Sequence, residues 1–285
     1  MLTLEFIKMQ GNGNDFIVID NRPYLFSNEM LSRLAAELCP RRRSVGADGL
    51  LVTEKSPDAD FTMRIFNSDG SEAQMCGNGA RCIARYAFEK GIAPAETSFS
   101  TKAGIVRAKV AQDLVTLDMG TVDLGEVGRK GTFPFEEGDI SYTHLVVGVP
   151  HTTIFPQDTH DKTEADLRRL AQAIQADQKR FPESTNVNFI TEVKEEFLRV
   201  ITFERGVGDF TLSCGTGSAA SAIAAWLEDL AKPPVTVKNP GGTNIVDFPD
   251  RRSLARISVK LTGKAEFVYE GRIPAPETEG KGIGG

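Results

Sequence analysis

The sequence predicts an α/β protein of the α+β kind, built from two similar strand-rich units that each surround one central helix. Short segments with apolar residues at every second position recur along the chain, bordered by glycine, asparagine, aspartate or proline, which is typical of strands. Two further segments predict helices: one begins directly after a Cys-Gly-Asn run, and the other, which is almost wholly apolar, begins directly after a Cys-Gly pair. These two helix starts lie 138 residues apart and share one pattern, which indicates an internal duplication.

The alternating segments predict ten strands. In most of them the spacing would place the apolar side chains on one face of a sheet. The predicted strands are Leu4–Lys8, Phe16–Asp20, Phe61–Phe66, Ile105–Val110, Leu114–Asp118, Leu145–Val149, Val187–Ile190, Leu198–Phe203, Ile257–Leu261 and Ala265–Tyr269.

Four helices are predicted. The apolar stripe over Asn28–Leu38 follows Ser27, which we expect to be its N-cap. Thr163–Asp177 predicts a second amphipathic helix with an exposed polar face. The segments Gly79–Lys90 and Thr216–Leu230 follow the two Cys-Gly pairs. The last of these is apolar on almost every side, so we expect it to be buried.

The two Cys-Gly turns, Met75–Ala80 and Ser213–Ser218, share the order cysteine, glycine, polar residue, glycine, small residue. Each turn follows predicted strands and opens a helix, as two copies of one unit would. A boundary between the copies near Gly120 fits this layout. Residues 274–285 are mainly glycine, proline, glutamate and lysine, and they predict a disordered tail because they have almost nothing to bury.

Composition and charge narrow the range of functions. The net charge of −6 gives no electrostatic reason to expect a nucleic acid or an anionic membrane as partner. No stretch approaches the roughly 20 apolar residues that span a bilayer, and the start lacks the pattern of a secretory signal. The basic run Arg41–Arg43 is interpreted as a solvated loop or helix end. We therefore expect a cytoplasmic protein whose four cysteines are reduced.

A cysteine at the start of a helix is placed for acid–base chemistry. The first-turn N–H groups have no partner within the helix and carry the positive end of its dipole, so they bind carboxylates and favour a thiolate. If two such starts flanked an amino acid, one thiolate would remove the α-proton and the other thiol would protonate the opposite face. This predicts Cys76 and Cys214 as the acid/base pair of a cofactor-independent amino-acid epimerase, and no pyridoxal motif is recognisable.

The cysteines allow other interpretations. Many free cysteines are small buried hydrophobes, and we interpret Cys39 and Cys82 in this way because of their apolar helical context. A zinc site is disfavoured because the sequence has no CxxC and only 3 histidines. A disulfide between Cys76 and Cys214 stays open, either in a redox or small-molecule-binding protein or as an off-pathway oxidation product.

Five motifs follow one another along almost the whole chain: Gly11–Phe16, Phe66–Ser71, Met75–Cys82, Glu204–Gly206 and Cys214–Gly217. In order and approximate spacing they resemble the motifs of the diaminopimelate epimerases. The resemblance implies two pseudo-symmetric domains, each a curled, mainly antiparallel sheet around a central helix, with the active site in the cleft between them.

The resemblance also implies domain bounds and a reaction. The first domain would span 1–119 with a returning strand at about 266–273, and the second would span 120–265. The reaction would interconvert LL- and meso-2,6-diaminopimelate without cofactor or metal, in lysine and peptidoglycan precursor biosynthesis. A homodimer whose domains close over the substrate is expected.

Position by position, the resemblance assigns two kinds of role. Glu204 and His151 would orient the site and tune proton transfer at the two thiols. Backbone N–H groups at the helix starts would hold the α-carboxylate, while side-chain amides and a guanidinium, whose fork suits a carboxylate, would hold the distal end. The catalytic residues would be Cys76, Cys214, Glu204 and His151, and the substrate-binding residues Asn14, Asn67, Gly77, Asn78, Asn186, Glu204, Arg205, Gly215 and Thr216.

Three departures from the family pattern concern the site. Val149 stands where the family often has asparagine, which removes one polar substrate contact. Gly49 stands where some members have glutamine. The interval from Glu204 to Cys214 is one residue longer than in some members, which suggests a bulge before the second thiol.

The nearest rival is a proline or hydroxyproline racemase of the same fold. Such enzymes resemble this chain in their paired thiols, but they typically have histidine where Asn78 stands. A ring substrate would also leave Arg205 and Asn186 without a distal carboxylate to bind. Diaminopimelate is therefore the first expectation for the substrate.

Overall fold

The computed structural model describes residues 3–124, 129–136, 138–250 and 255–274. The chain divides into two compact units, one of Met1–Val115 with Ala265–Gly285 and one of Thr116–Lys264. Both units combine mainly antiparallel strands with two helices, which confirms the predicted fold class. Apart from Pro274, the tail predicted over 274–285 lies outside the described residues.

In the first unit, helices cross between strands that lie parallel, as such connections require. Its elements are β1 (Thr3–Gly11), β2 (Asn14–Asp20), α1 (Asn28–Leu38), β3 (Gly49–Glu54), β4 (Phe61–Asn67), β5 (Glu72–Ala73), α2 (Gly77–Glu89), β6 (Glu96–Thr101), β7 (Gly104–Ala111) and β18 (Glu266–Pro274). The order β18-β1-β2 is antiparallel, and α1 crosses to β3, which lies parallel to β2. Strand β4 pairs antiparallel with β3 and β5, and α2 crosses to β6, parallel to β4 and antiparallel to β7.

The second unit repeats this order. Its elements are β8 (Leu114–Asp123), β9 (Arg129–Phe135), β10 (Gly138–Val147), β11 (Val149–Ile154), α3 (Glu164–Ala176), β12 (Asn186–Lys194), β13 (Phe197–Glu204), β14 (Asp209–Thr211), α4 (Gly215–Leu227), β15 (Val235–Asn239), β16 (Gly242–Asp247) and β17 (Arg256–Lys264). Helix α3 crosses between the parallel strands β11 and β12, and α4 crosses between the parallel strands β13 and β15. The matching order confirms the internal duplication.

The central helices α2 and α4 form the middle of each unit. Every residue of α4 from Gly217 to Trp226 is buried, which confirms the expectation for this helix. Helices α1 and α3 are amphipathic, as predicted, and are capped by Ser27 and Thr163. Within the described ranges, no helix combines the length and the apolar character needed to cross a membrane.

One predicted strand, Leu145–Val149, is wrong. The chain reverses at Gly148, whose φ of +70° suits glycine, and Val147 pairs with Val149 across the β10–β11 hairpin. Helices α2 and α4 also begin earlier than predicted, because the glycine after each cysteine is already helical. Helix α4 ends at Leu227 instead of residue 230.

Candidate active site

Cys76 is the N-cap of α2, with extended backbone angles of φ −141° and ψ 124°. Its side chain is half-buried and makes no capping hydrogen bond within the helix. Gly77 is the first helical residue, and a Cβ added there would meet nothing within 4 Å. The glycine therefore leaves the approach to the first-turn N–H groups open on this side.

Asn14 lies beside this thiol. Cys76 Sγ donates to Asn14 Oδ1 over 3.6 Å, and Asn14 Nδ2 donates to Asp48 Oδ2 over 2.6 Å. An ionised carboxylate can only accept, so Asp48 fixes the amide with its oxygen towards the thiol. Sequence reasoning missed Asp48, because a lone aspartate between a loop and a strand carries no recognisable signal.

A charged network supports Asp48. Arg41 Nη2 lies 2.6 Å from Asp15 Oδ1 and 2.8 Å from Asp48 Oδ1, and Lys8 Nζ lies 2.7 Å from Asp15 Oδ2. Burial raises the pKa of Asp15, but hydrogen bonds from Arg41 and Lys8 outweigh it and lower that pKa to about 2. Residues Arg41–Arg43 are exposed in the loop after α1, as interpreted from the sequence, and Arg41 in addition orders this loop through its two carboxylate partners.

Asn67 and Asn78 have local partners in the first unit. Asn67 ends β4, and its Nδ2 donates to Ser71 Oγ over 3.0 Å within the turn that leads to β5. Asn78 is buried in the first turn of α2, and its Oδ1 accepts from Arg81 Nη2 over 2.8 Å. These contacts give both asparagines a structural role, and their contact with substrate stays a prediction.

Cys214 is the N-cap of α4, with φ −111° and ψ 115°. Its Sγ accepts a hydrogen bond from Gly217 N over 3.3 Å and lies 3.5 Å from Thr216 Oγ1. The residue is only 7% exposed. A Cβ added at Gly215 would come within 2.8 Å of Leu261 Cδ2, so this helix start is packed more tightly than that of α2.

Other predicted residues lie at strand ends in the second unit. His151 on β11 is opposite Asn186, the first residue of β12, and Asn186 Oδ1 accepts from Arg205 N over 3.0 Å. Glu204 ends β13 and accepts from Thr211 Oγ1 over 2.7 Å. The Arg205 side chain is exposed and donates to the carbonyl of Glu183. The structure therefore brings His151, Asn186, Glu204 and Arg205 to one end of these strands.

His151 is a neutral group. It is completely buried, and burial lowers its pKa to about 3. Asn188 Nδ2 lies 3.2 Å from His151 Nδ1 and also donates to Thr153 Oγ1, so Nδ1 accepts and the ring proton belongs on Nε2. Among the described residues, Nε2 has no hydrogen-bond partner. Sequence reasoning singled out His151 but missed Asn188.

The structure accounts for one of the three departures, Gly49, and corrects the expectation for another. A Cβ at Gly49 would lie 2.7 Å from the Phe66 carbonyl oxygen, so the backbone packing excludes a side chain there. The β13–β14 hairpin keeps a regular register from Thr202 to Thr211, and the expected bulge is absent from it. Val149 is half-buried directly after the Gly148 turn, and a Cβ at Gly148 would lie 3.9 Å from Thr216 Cγ2.

The remaining cysteines are buried packing residues, as expected. Burial raises the pKa of Cys39 to about 11 and that of Cys82 to about 12. All four cysteines are free thiols. In the described part of the chain, no group of three or more histidine, cysteine, aspartate or glutamate side chains is arranged to hold a metal ion.

Fold and site together define a class, namely proteins of two duplicated units with a cysteine capping each central helix. A phenazine biosynthesis protein of the PhzF family from Bacillus anthracis has this fold, with a TM-score of 0.70 and 16% identity over 96% of this chain and 100% of that one. A hydroxyproline epimerase from Agrobacterium vitis also has this fold, with a TM-score of 0.64 and 17% identity over 95% of this chain and 92% of that one.

The sequence narrows this class to one family. The family pattern "Diaminopimelate epimerase" matches residues 6–125 and 143–268. The diaminopimelate epimerase of Methanocella arvoryzae is 40% identical over 283 residues, which cover 96% of this chain and 98% of that protein. The chain belongs to the diaminopimelate epimerase family.

Proposed function

We propose that the protein interconverts LL- and meso-2,6-diaminopimelate by proton transfer between Cys76, Cys214 and the α-carbon, without a cofactor. The observation that carries this proposal is the placement of both cysteines as N-caps of central helices, each followed by glycine at the first helical position. Family membership supports the substrate. The place of the reaction in lysine and peptidoglycan precursor biosynthesis belongs to the same proposal.

The chemistry needs two groups and an anion site. One thiolate takes the α-proton, the electron pair is held by the carboxylate-stabilised carbanion, and the other thiol gives its proton to the opposite face. The first-turn N–H groups after each cysteine, at Gly77, Asn78, Gly215 and Thr216, would stabilise the charge that develops on the carboxylate. In the reverse direction the two sulfurs exchange roles.

The distal end of the substrate needs a cation and amide groups. The exposed guanidinium of Arg205 suits the second carboxylate because its fork can bind both oxygens. Asn186 accepts from the backbone of Arg205, so the two belong to one local structure. Asn14, Asn67 and Glu204 complete the proposed substrate contacts, with His151 beside the reacting groups.

Deuterium exchange tests the reaction. Purified protein in D₂O should incorporate deuterium at the α-carbon of LL- and meso-diaminopimelate, measured by mass spectrometry. Parallel samples with proline and hydroxyproline should show none. Exchange with neither diaminopimelate isomer would overturn the proposal, and exchange with a ring substrate alone would favour the racemase alternative.

Alanine variants test the two-thiol mechanism. Cys76→Ala and Cys214→Ala should each lower epimerisation by roughly 10²- to 10⁴-fold, the usual contribution of a general acid or base. Cys39→Ala and Cys82→Ala are the matched controls and should retain activity within a few-fold. Full activity in either of the first two variants would contradict the mechanism. Strong reductant should raise the activity, whereas it would abolish a disulfide-dependent function.

Three further expectations belong to this proposal. The absorbance spectrum of the pure protein should lack a pyridoxal band. Sedimentation should give the mass of a homodimer. Fractionation of cells should recover the protein from the cytoplasm.

A further inference from the structure

A polar network is buried beneath the start of α4. Asn188 Oδ1 accepts from Thr202 Oγ1 over 3.0 Å, while Asn188 Nδ2 donates to His151 Nδ1 over 3.2 Å and to Thr153 Oγ1 over 3.4 Å. Asn188 and Thr153 are 0% exposed and Thr202 is 2% exposed. Burying an amide and hydroxyls is unfavourable unless their hydrogen bonds are made, whereas apolar side chains could be buried here without this requirement. The presence of polar residues at these buried positions therefore requires an explanation.

The first unit shows that the fold needs no polar group at these positions. Each unit has a row of three residues that face one another across neighbouring strands of the repeat. In the second unit the row is polar. In the first unit the three corresponding residues are apolar and buried. The rows are Thr153, Asn188 and Thr202 in the second unit, and Val18, Leu51 and Ile65 in the first.

The central helices confirm this correspondence. Gly79 of α2 and Gly217 of α4 are the second glycines of the two Cys-Gly motifs. A Cβ on Gly79 would come within 3.0 Å of Leu51 Cδ2 and 3.6 Å of Ile65 Cδ1. A Cβ on Gly217 would come within 2.7 Å of Asn188 Oδ1 and 2.9 Å of Thr202 Oγ1. The same helix position therefore rests on an apolar row in one unit and on a polar row in the other.

The polar row acts on His151. The Asn188 amide nitrogen can only donate, so it makes His151 Nδ1 an acceptor and places the proton on Nε2. That Nε2 is buried and has no hydrogen-bond partner among the described residues. In this orientation the other end of the amide is also paired, because Asn188 Oδ1 accepts from Thr202 Oγ1.

The charges around His151 oppose its protonation. His144 on β10 and Arg205 after β13 both lower the pKa of His151, in addition to the larger effect of burial. Strand β12 presents the neutral residues Asn186 and Asn188, β13 ends in Glu204, and α4 has no charged residue between Gly215 and Leu227. A buried N–H donor that stays neutral is suited to an anionic acceptor brought by a ligand.

We propose that Asn188, held by Thr202, is a positioning residue that keeps His151 in the neutral tautomer with its proton on Nε2. His151 then serves epimerisation as a hydrogen-bond donor to an anionic group of the bound amino acid, and not as a cation or proton acceptor. This inference rests on the proposed function for its substrate, whereas the tautomer and its cause are properties of the protein alone.

Nitrogen-15 NMR of the histidine rings tests the tautomer without any assay. His144→Gln and His160→Gln variants assign the His151 signals. Wild-type His151 should show the neutral Nε2–H pattern from pH 8 to pH 5. A His151 signal that titrates near pH 6.5, or the Nδ1–H pattern, would overturn the inference even if the enzyme epimerises diaminopimelate.

Exchange of the polar row for the apolar one separates positioning from packing. Asn188→Leu combined with Thr202→Ile introduces the residues of the first unit at two of the three positions of the row, and the unfolding midpoint shows that the variant is folded. Its kcat should fall roughly 10- to 100-fold, as when an outer partner that orients a histidine is removed at metal sites. The fraction of the Nε2–H tautomer should fall, because no amide then donates to Nδ1. Unchanged kcat in a folded double variant would refute the inference.

Asn188→Asp gives a distinct pH profile. A carboxylate beside Nδ1 favours the imidazolium, which still carries a proton on Nε2. When the ring loses one proton, the carboxylate keeps the remaining proton on Nδ1, so Nε2 is no longer a donor. The activity of this variant should therefore fall as pH rises through the raised pKa of His151, a limb that wild type lacks. The matched control is Asn239→Leu, which removes another buried asparagine, one that donates to Ser218 Oγ of α4. The Asn239→Leu variant should keep the His151 tautomer and the shape of the pH–activity profile. A new fall in activity with rising pH in Asn239→Leu would contradict the inference, and so would the lack of such a fall in Asn188→Asp.

Discussion

The two Cys-Gly turns have one motif and one backbone conformation, but they treat their thiols differently. Cys76 Sγ donates to the oxygen of Asn14, whereas Cys214 Sγ accepts from the N–H of Gly217. A partner that accepts stabilises a protonated thiol, and one that donates stabilises a thiolate. The motif therefore fixes where each sulfur lies, while Asn14 on β2 and the backbone of Gly217 give the two sulfurs opposite hydrogen-bonding roles.

The neighbouring strands explain the difference. Phe16 faces Gly49 across β2 and β3, and His151 faces Asn186 across β11 and β12, so these pairs correspond in the duplicated units. Asn14 lies two residues before Phe16, and Val149 lies two residues before His151. The first unit thus has an amide beside its thiol where the second has an apolar side chain.

The largest expected contrast is in alkylation of the thiols by iodoacetamide. Cys39 and Cys82 should react at least about 100-fold more slowly than Cys76 and Cys214, because at pH 8 their raised pKa values leave on the order of one thiolate in a thousand or fewer. When the pH is lowered, Cys214 should retain more of its rate than Cys76, since Gly217 donates to its sulfur. Peptide mass spectrometry follows each site, and equal pH dependence at the two turns would remove the asymmetry.

Glycine-to-alanine substitutions compare the packing under the two helices. Gly217→Ala should lower the free energy of unfolding by about 2 kcal/mol, because its Cβ would overlap polar atoms fixed by hydrogen bonds. Gly79→Ala should cost less, since its nearest contact is the end of the Leu51 side chain. Gly77→Ala, which faces open space, should change stability by less than about 1 kcal/mol. Urea unfolding measures the three values, and the reverse order would show that the polar row is not tightly packed.

The smallest expected effect concerns Val149. Val149→Asn would give the second unit the amide that Asn14 provides in the first, and one added hydrogen bond should lower KM for diaminopimelate about three- to five-fold. Val146→Asn, on an exposed position of the same hairpin, should leave KM unchanged. Steady-state kinetics of both variants decide the matter, and an unchanged KM in Val149→Asn would show that this position does not contact substrate.

Periodicity predicted the elements that are exposed on one side. Ser27 and the stripe of α1 behaved as expected, because a half-buried helix shows its pattern in the sequence. The turn at Gly148 was missed because a continuous apolar run conceals a reversal made by one glycine. Short strands within a duplicated unit have weak local signals, and those missed are β3, β5, β6, β9, β11, β14, β15 and β16.

The sequence by itself determined the duplication, the two helix-capping cysteines and the family, because each depends on short contiguous motifs. Only the tertiary structure showed that Asp48 orients Asn14 and that Asn188 orients His151. These partners lie 34 and 37 residues apart in the chain. Parallel strand pairing through a crossover helix brings them together, and no local pattern in the sequence records which residues such a crossover places side by side.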